Sequence, residues 1–122
     1  SPTKVLVDRR GSLLVCDAGN RRIVVYDEYG NFSRDIDDPE LREPTGFCME
    51  DGGRLWVVDR ISSRIFVFSP EGTRELVIDR SLAGLPTPLS SPSDIAIYGD
   101  RVFISDSDND RIVVCRPLST EE

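Results

Sequence analysis

Three stretches of this chain can be laid beside one another. PTKVLVDRRGSLLVCDAGNRRIVVYD runs from Pro2 to Asp27, PTGFCMEDGGRLWVVDRISSRIFVFS from Pro44 to Ser69, and PSDIAIYGDRVFISDSDNDRIVVCR from Pro92 to Arg116. Asp17, Asp59 and Asp106 then fall in register. So do Arg22, Arg64 and Arg111, each followed by an isoleucine at 23, 65 and 112. The spacings are 42 and then 47 residues, with most of the difference in the linker from Ser81 to Ser91. The third copy is one residue shorter in its first turn. Each copy is too short to bury a core alone, so a period of this length implies units that stack on their neighbours.

Each unit reads as strands. Val5-Leu6-Val7, Phe47-Cys48-Met49 and Ile95-Ala96-Ile97 are short apolar runs, each followed by a polar turn. Those turns are Arg9-Arg10-Gly11, Asp51-Gly52-Gly53 and Gly99-Asp100. A second strand is expected at 12–16, 54–58 and 101–105, and a third, after a polar corner, at 22–26, 64–68 and 111–115. Weaker fourth strands are expected at about 32–36 and 73–78. The third unit has no room for one before Pro117-Leu118 and an acidic tail. No segment sustains a helical period.

Four antiparallel strands per roughly 40–50 residues is the β-propeller pattern. Continuous apolar runs in the central strands suit sheets buried on both faces. The expected fold is therefore all-β: two complete four-stranded blades and a third lacking its last strand. The segment spans 2–116, in repeats 2–43, 44–91 and 92–116, with a tail at 117–122. Propellers close with about four to eight blades, and three cannot form a ring. The expectation is half of a six-bladed ring, either the C-terminal part of a longer propeller or one completed by a second copy.

The repeat resembles the NHL repeat. Its pattern is approximately Pro-x-Gly-apolar-x-apolar-Asp, a Gly turn, an apolar strand, then Asp-x-x-Asn-x-Arg-apolar. Asp17-Ala18-Gly19-Asn20-Arg21-Arg22-Ile23 and Asp106-Ser107-Asp108-Asn109-Asp110-Arg111-Ile112 match the last element. Asp59-Arg60-Ile61-Ser62-Ser63-Arg64-Ile65 departs from it with Ser62 in place of Asn. The resemblance covers about residues 2 to 116.

The stretch DSDNDRIVV, Asp106 to Val114, also invites comparison with a calcium loop. An EF-hand loop needs oxygen ligands at positions one, three and five, Gly at six and Glu at twelve. Asp106, Asp108 and Asp110 supply the first three, but the sixth residue is Arg111 and the twelfth is Pro117. The repeat accounts for all three copies, including the one without extra acids. Asp17, Asp59 and Asp106 are read as strand-ending residues that accept hydrogen bonds at the corner. Arg22, Arg64 and Arg111 are read as pairing with carboxylates or carbonyls. No metal or other cofactor is expected.

The chemistry available is narrow. The chain has no His, which removes the imidazole base and the Ser-His and Cys-His nucleophile pairs. Its three Cys form no C-x-x-C pair and fit a reducing compartment. They align with apolar or small residues of the other repeats and are read as core. Trp56 aligns with Leu14 and Phe103, also core positions. Asn31-Phe32-Ser33 fits a glycosylation acceptor by pattern alone. A net charge of −7 weighs against nucleic acid. No apolar run is long enough to span a membrane.

Function is read as partner binding, without catalysis. By resemblance to NHL propellers, the loops between second and third strands and those between blades form one face. That face would carry Asn20, Arg21, Ser62, Ser63, Asn109 and Asp110. Leu85 and Leu89 would lie exposed in the long linker, since loops on a rigid scaffold commonly carry binding. In tripartite-motif proteins such a propeller recruits partners or substrates for a ubiquitin ligase, so the expected partner is a protein and the expected compartment the cytoplasm. RNA binding, known for some NHL propellers, is the alternative. Residues 92–122, with three Arg against seven acids, count against it. A metal-dependent lyase or lactonase-like propeller is the second alternative.

Overall fold

The computed structural model describes residues 2–79 and 85–116. These form three antiparallel sheets. The first holds β1 (Pro2–Val7), β2 (Leu13–Asp17), β3 (Arg22–Tyr26) and β4 (Phe32–Asp37), hydrogen-bonded in that order. The second holds β5 (Pro44–Met49), β6 (Leu55–Asp59), β7 (Arg64–Phe68) and β8 (Arg74–Ile78). The third holds β9 (Pro92–Tyr98), β10 (Arg101–Asp106) and β11 (Arg111–Cys115). We refer to the sheets as blades 1, 2 and 3. The fourth strands expected at 32–36 and 73–78 are present as β4 and β8. The tail 117–122 lies outside the described residues. Among the described residues no helix is long and apolar enough to cross a membrane.

At one end of the blades the turns are built alike. Gly11, Gly30, Gly53 and Gly72 donate their N–H to the carbonyls of Asp8, Asp27, Glu50 and Ser69, and all four have φ between 83° and 97°. The residue after each glycine accepts a closing bond, as in Asp8 N–H to the Ser12 carbonyl at 3.0 Å. Glycine fits because a Cβ is disfavoured at this φ. At Gly11 a Cβ would also lie 3.2 Å from Glu28 Cβ. The first turn of blade 3 is shorter: Tyr98 pairs directly with Arg101 around Gly99-Asp100.

Blade 2 is buried on both faces. Alternate residues along a strand point to opposite sides, and its strands divide accordingly. Leu55, Val57, Phe66 and Phe68 join Leu14, Cys16, Ile23, Val25 and Ile36 of blade 1 in one core. Trp56, Val58, Ile65 and Val67 join Ile95, Val102, Ile104 and Val113 of blade 3 in a second. Every residue of β6 is buried. Burying a Val, Leu, Ile or Phe side chain contributes about 1.5–3 kcal/mol, so these two seams are the main source of stability. The Trp56 indole N–H donates to the Glu50 carboxylate, which satisfies its one polar atom inside the core.

Each seam is plugged by a leucine from the linker beside it. Leu41 is 1% exposed and belongs to the first core; Leu89 is 0% exposed and belongs to the second. The expectation of an exposed Leu89 is therefore corrected. Leu85 packs partly buried against the same core. Both leucines lie three residues before a blade-opening proline, Pro44 or Pro92, and burial of this linker position repeats with the blades.

Candidate interaction face

The strand-ending aspartates organise the opposite end of the blades. Asp59 is fully buried, and its carboxylate accepts the N–H groups of Arg42 and Glu43, both at 2.8 Å, and the Ser62 hydroxyl at 2.9 Å. Asp106, also fully buried, accepts Ser90 N–H at 2.7 Å, the Asn109 amide at 2.7 Å and Arg111 Nε at 2.8 Å. Each aspartate thus ties the corner of its own blade to the incoming linker. Burial pulls the Asp106 carboxyl up, but the bonds from Asn109, Ser90 and Arg111 together outweigh it and hold it below the ordinary carboxylate value. Asp17 takes the Asn20 amide at 2.9 Å and Arg22 Nε at 3.3 Å, and the Asn20 bond leads in lowering its pKa to about 2.

The arginines do not repeat as closely as the aspartates. Arg22 bridges Asp17 and Asp35, and Arg111 holds Asp106 and the Thr87 carbonyl. Arg64 instead lies over the Phe66 ring, 5.1 Å from its centroid, and pairs with Glu40 of the linker at 3.0 Å. In blade 2 the Ser62 hydroxyl bonds the aspartate as the Asn20 and Asn109 amides do in the other two.

These braces hold three corners that share a left-handed closing residue, although its N–H bonds back to Ala18 and Ser107 in blades 1 and 3 and one residue further, to Asp59, in blade 2. Arg21, Ser63 and Asp110 each close the corner in the left-handed region, with φ of 58°, 57° and 51°. A non-glycine residue there is strained, so three equivalent cases mark a backbone dictated by its surroundings. The side chains carried at this point differ: Arg21 and Asp110 are exposed, while Ser63 is buried and accepts Ser91 N–H at 3.0 Å. Asn20 is exposed, and Asn109 and Ser62 are half-buried. Of the expected face residues, Asn20, Arg21, Asn109 and Asp110 therefore present atoms to solvent at this end. Ser62 is partly turned to its aspartate, and Ser63 and Leu89 are internal.

The linker between blades 1 and 2 adds paired charge. Glu40 meets Arg64 and Arg74, Asp38 meets Arg74, and Glu43 holds Arg60 in two contacts of 2.5 and 3.0 Å. The net pattern is a basic residue, Arg21, at the corner of blade 1 and an acidic pair, Asp108 and Asp110, at the corner of blade 3. Among the described residues no group of three or more His, Cys, Asp or Glu is arranged to hold a metal ion.

At the other end a cleft of about 890 Å³ separates blades 1 and 2, with Leu6, Leu14, Val25 and Met49 among its lining. Several charged groups at its mouth have partners within the chain. Asp8 caps Arg10 and Ser12 N–H, Glu50 holds Arg54, and Arg34 donates to the Pro70 carbonyl. No feature of the sequence pointed to this cleft.

The three cysteines are free. Burial pushes the Cys16 thiol up to about 11 and the Cys48 thiol to about 12, and raises Cys115 as well. Cys16 Sγ also donates to the Pro44 carbonyl at 3.0 Å.

The NHL repeat model matches residues 41–68, which run from the linker leucine to the end of β7. The chain therefore carries an NHL repeat, and its three sheets are β-propeller blades. No curated protein sequence matches it. Among solved structures, one from a nidogen/laminin complex superposes with a TM-score of 0.79 at 20% identity, covering 100% of this chain and 45% of the other. A streptogramin B lyase gives 0.71 at 20% identity over 96% of this chain and 40% of its own. A virginiamycin B lyase from Staphylococcus aureus gives 0.70 at 19% identity over 98% and 42%. Likeness at this identity shows the fold. The chain spans less than half the length of each of these propellers.

Proposed function

We propose that this chain is a non-catalytic scaffold that holds a protein partner on the corner-and-linker face. The observation that carries the reading is the matched pair of left-handed corners in blades 1 and 3. Arg21 and Asp110 hang opposite charges, both exposed, on one braced backbone geometry, while the equivalent Ser63 is internal. A rigid frame with variable side chains suits recognition, because little ordering entropy is lost on binding. Recruitment of ubiquitin-ligase substrates, which the tripartite-motif resemblance implies, is the finer form of this reading, and a cytoplasmic location goes with it.

The complete absence of His supports a scaffold over a lyase. A histidine-to-alanine variant of the S. aureus lyase is described as catalytically inactive. RNA is the second reading. It would rest on Arg21 and Arg42, set among Asp38, Glu40, Asp108 and Asp110, where phosphate affinity would be weak.

The test uses the immobilised chain to capture proteins from a lysate and compares variants. R21D and D110R should each release the captured set, while Y29S, at the opposite end, should not. Loss that is equal for all three, or none for any, would place recognition elsewhere. A salt-sensitive mobility shift with single-stranded RNA would favour the second reading.

A further inference from the structure

The turn between β1 and β2 carries the run Arg9-Arg10-Gly11-Ser12-Leu13. Ser12 is the one Ser or Thr of the sequence with an arginine both two and three residues before it. A serine so placed, with an apolar residue next, suits a protein kinase whose peptide groove is acidic. Each guanidinium can there take charge-assisted hydrogen bonds from a fixed, planar fork.

The structure leaves these groups available. Arg9, Arg10 and Gly11 are exposed, and Ser12 is half-buried just outside β2. Arg9 meets Asp51 at 3.5 Å with side chains 85% and 98% exposed, and such a pair holds little. Arg10 and Ser12 donate their backbone N–H groups to the Asp8 carboxylate. Among the described residues neither the Arg10 guanidinium nor the Ser12 hydroxyl is paired. In blade 2 the equivalents of Asp8 and Ser12 are Glu50 and Arg54, which pair with each other at 2.9 Å.

A neighbouring blade does not cover this turn. Blade 2 has a blade packed on each face, yet its equivalent turn keeps Asp51 and Gly52 exposed and the Arg54 side chain 32% exposed. The bonds that close the blade 1 turn join Asp8 to Arg10, Gly11 and Ser12. All lie within the turn, so it can open into a kinase groove without parting a seam. Ser63 and Thr45, each with one arginine three residues before, are engaged instead. Ser63 is buried and accepts Ser91 N–H, and the Thr45 hydroxyl donates to the Pro92 carbonyl.

We propose that Ser12 is a phosphorylation site for a serine/threonine kinase that selects arginine two and three residues upstream. The Ser12 oxygen attacks the γ-phosphorus of a nucleoside triphosphate. The bond to the β-phosphate oxygen breaks, the diphosphate leaves, and the hydroxyl proton passes to the kinase. The product carries a charge of about −1.5 to −2 at pH 7. It stands at the mouth of the cleft between blades 1 and 2, which Ser12 lines together with Arg9, Arg10 and Arg34. The inference goes beyond the scaffold reading, concerns the opposite end of the blades and can fail without it.

The test incubates the intact folded chain with a purified kinase of this arginine-selecting class and magnesium ATP, and maps the label by tandem mass spectrometry. One phosphoryl group on Ser12 is expected. Ser12→Ala should abolish it. Arg9→Ala combined with Arg10→Ala should slow it at least about tenfold, since two sets of charge-assisted bonds to the kinase are lost. An unlabelled folded chain overturns the proposal, even if a peptide of residues 6–15 is labelled, because the fold then withholds the acceptor. A label on another hydroxyl overturns it too, as does a Ser12 rate indifferent to the two arginines. The wild-type map decides the matter even if a variant fails to fold.

Discussion

Lys4 Nζ lies 2.6 Å from Asp94 Oδ1, an ion pair that joins blade 1 to blade 3 past the innermost strand of blade 2. The three blades meet here at equivalent positions: Lys4, Gly46 and Asp94. Gly46 leaves the space. A Cβ on it would stand 2.5 Å from Asp94 Oδ1 and 2.7 Å from both Asp94 Cα and the Ser93 carbonyl.

Two of those three atoms are backbone, so Gly46→Ala must push β9 away from β5. We predict a loss of about 1–3 kcal/mol, as for other overpacked sites. Lys4→Met should lose no more than about 1 kcal/mol, because the paired side chains are 29% and 50% exposed and water screens them. Urea unfolding of both variants checks the order. A Lys4→Met loss larger than that of Gly46→Ala would mean that the charge pair, and not the close approach, holds the blades.

Asp59 accepts two linker N–H groups in a fully buried site. Asp59→Ala leaves both without their partner and should cost about 2–5 kcal/mol, since each stranded buried donor costs about 1–3. Asp59→Asn keeps one acceptor oxygen but turns an amide N–H₂ toward the other donor, so about half that loss is expected. Denaturation curves for the pair measure it. Equal losses would show that the negative charge, and not the count of acceptors, is what the linker needs.

Much of this architecture was legible because its period is visible. Every described strand overlaps the run where the threefold alignment places it, the first strand of each blade starting three residues earlier at its proline, and the corner aspartates and Arg-Ile pairs anchor that register. The contacts that cross blades were harder to read. Leu89 looked exposed because the long linker has no periodicity of its own; only its match to Leu41, three residues before a proline, marks it as a plug. The Lys4–Asp94 pair spans 90 residues. Its one trace in the sequence is opposite charges flanking a glycine at one aligned position. Ser63 was read as a face residue because hydrophilicity does not tell a solvated hydroxyl from one that accepts a buried N–H.

Acid stability should follow the carboxylates held below their ordinary values, Asp17 and Asp106 at the corners together with the more exposed Asp27, Glu40 and Glu43. Asp17, held at about 2 by the Asn20 amide together with Arg22, and Asp106 both sit below the ordinary value of 3.8. A lowered folded-state pKa means that the unfolded chain binds the proton more readily. Their contribution is complete above pH about 5 and is lost as pH falls toward the folded values. The melting temperature should therefore be nearly flat above that point and fall below it. Asp17→Asn should be less stable than wild type near neutrality, and its deficit should shrink below about pH 3. A deficit that stays constant across this range would show that Asp17 acts through shape alone.

The cysteines should resist alkylation while the chain is folded. The thiolate is the reactive form, and burial lifts Cys16 to about 11 and Cys48 to about 12. At pH 8 the folded-state thiolate fraction is then about a hundredfold or more below that of a free cysteine, whose pKa is about 8.5. Iodoacetamide at pH 8 should label Cys115 first, since it is half-buried near the end of β11 and no other cause than burial raises it. Cys16 should react only as fast as blades 1 and 2 separate, because its sulfur is fully covered and donates to Pro44. Mass spectrometry of timed samples gives the order, and adding urea should bring all three to the same rate. Rapid native labelling of Cys16 would mean that the seam between blades 1 and 2 opens often, and that the first core is far weaker than its packing indicates.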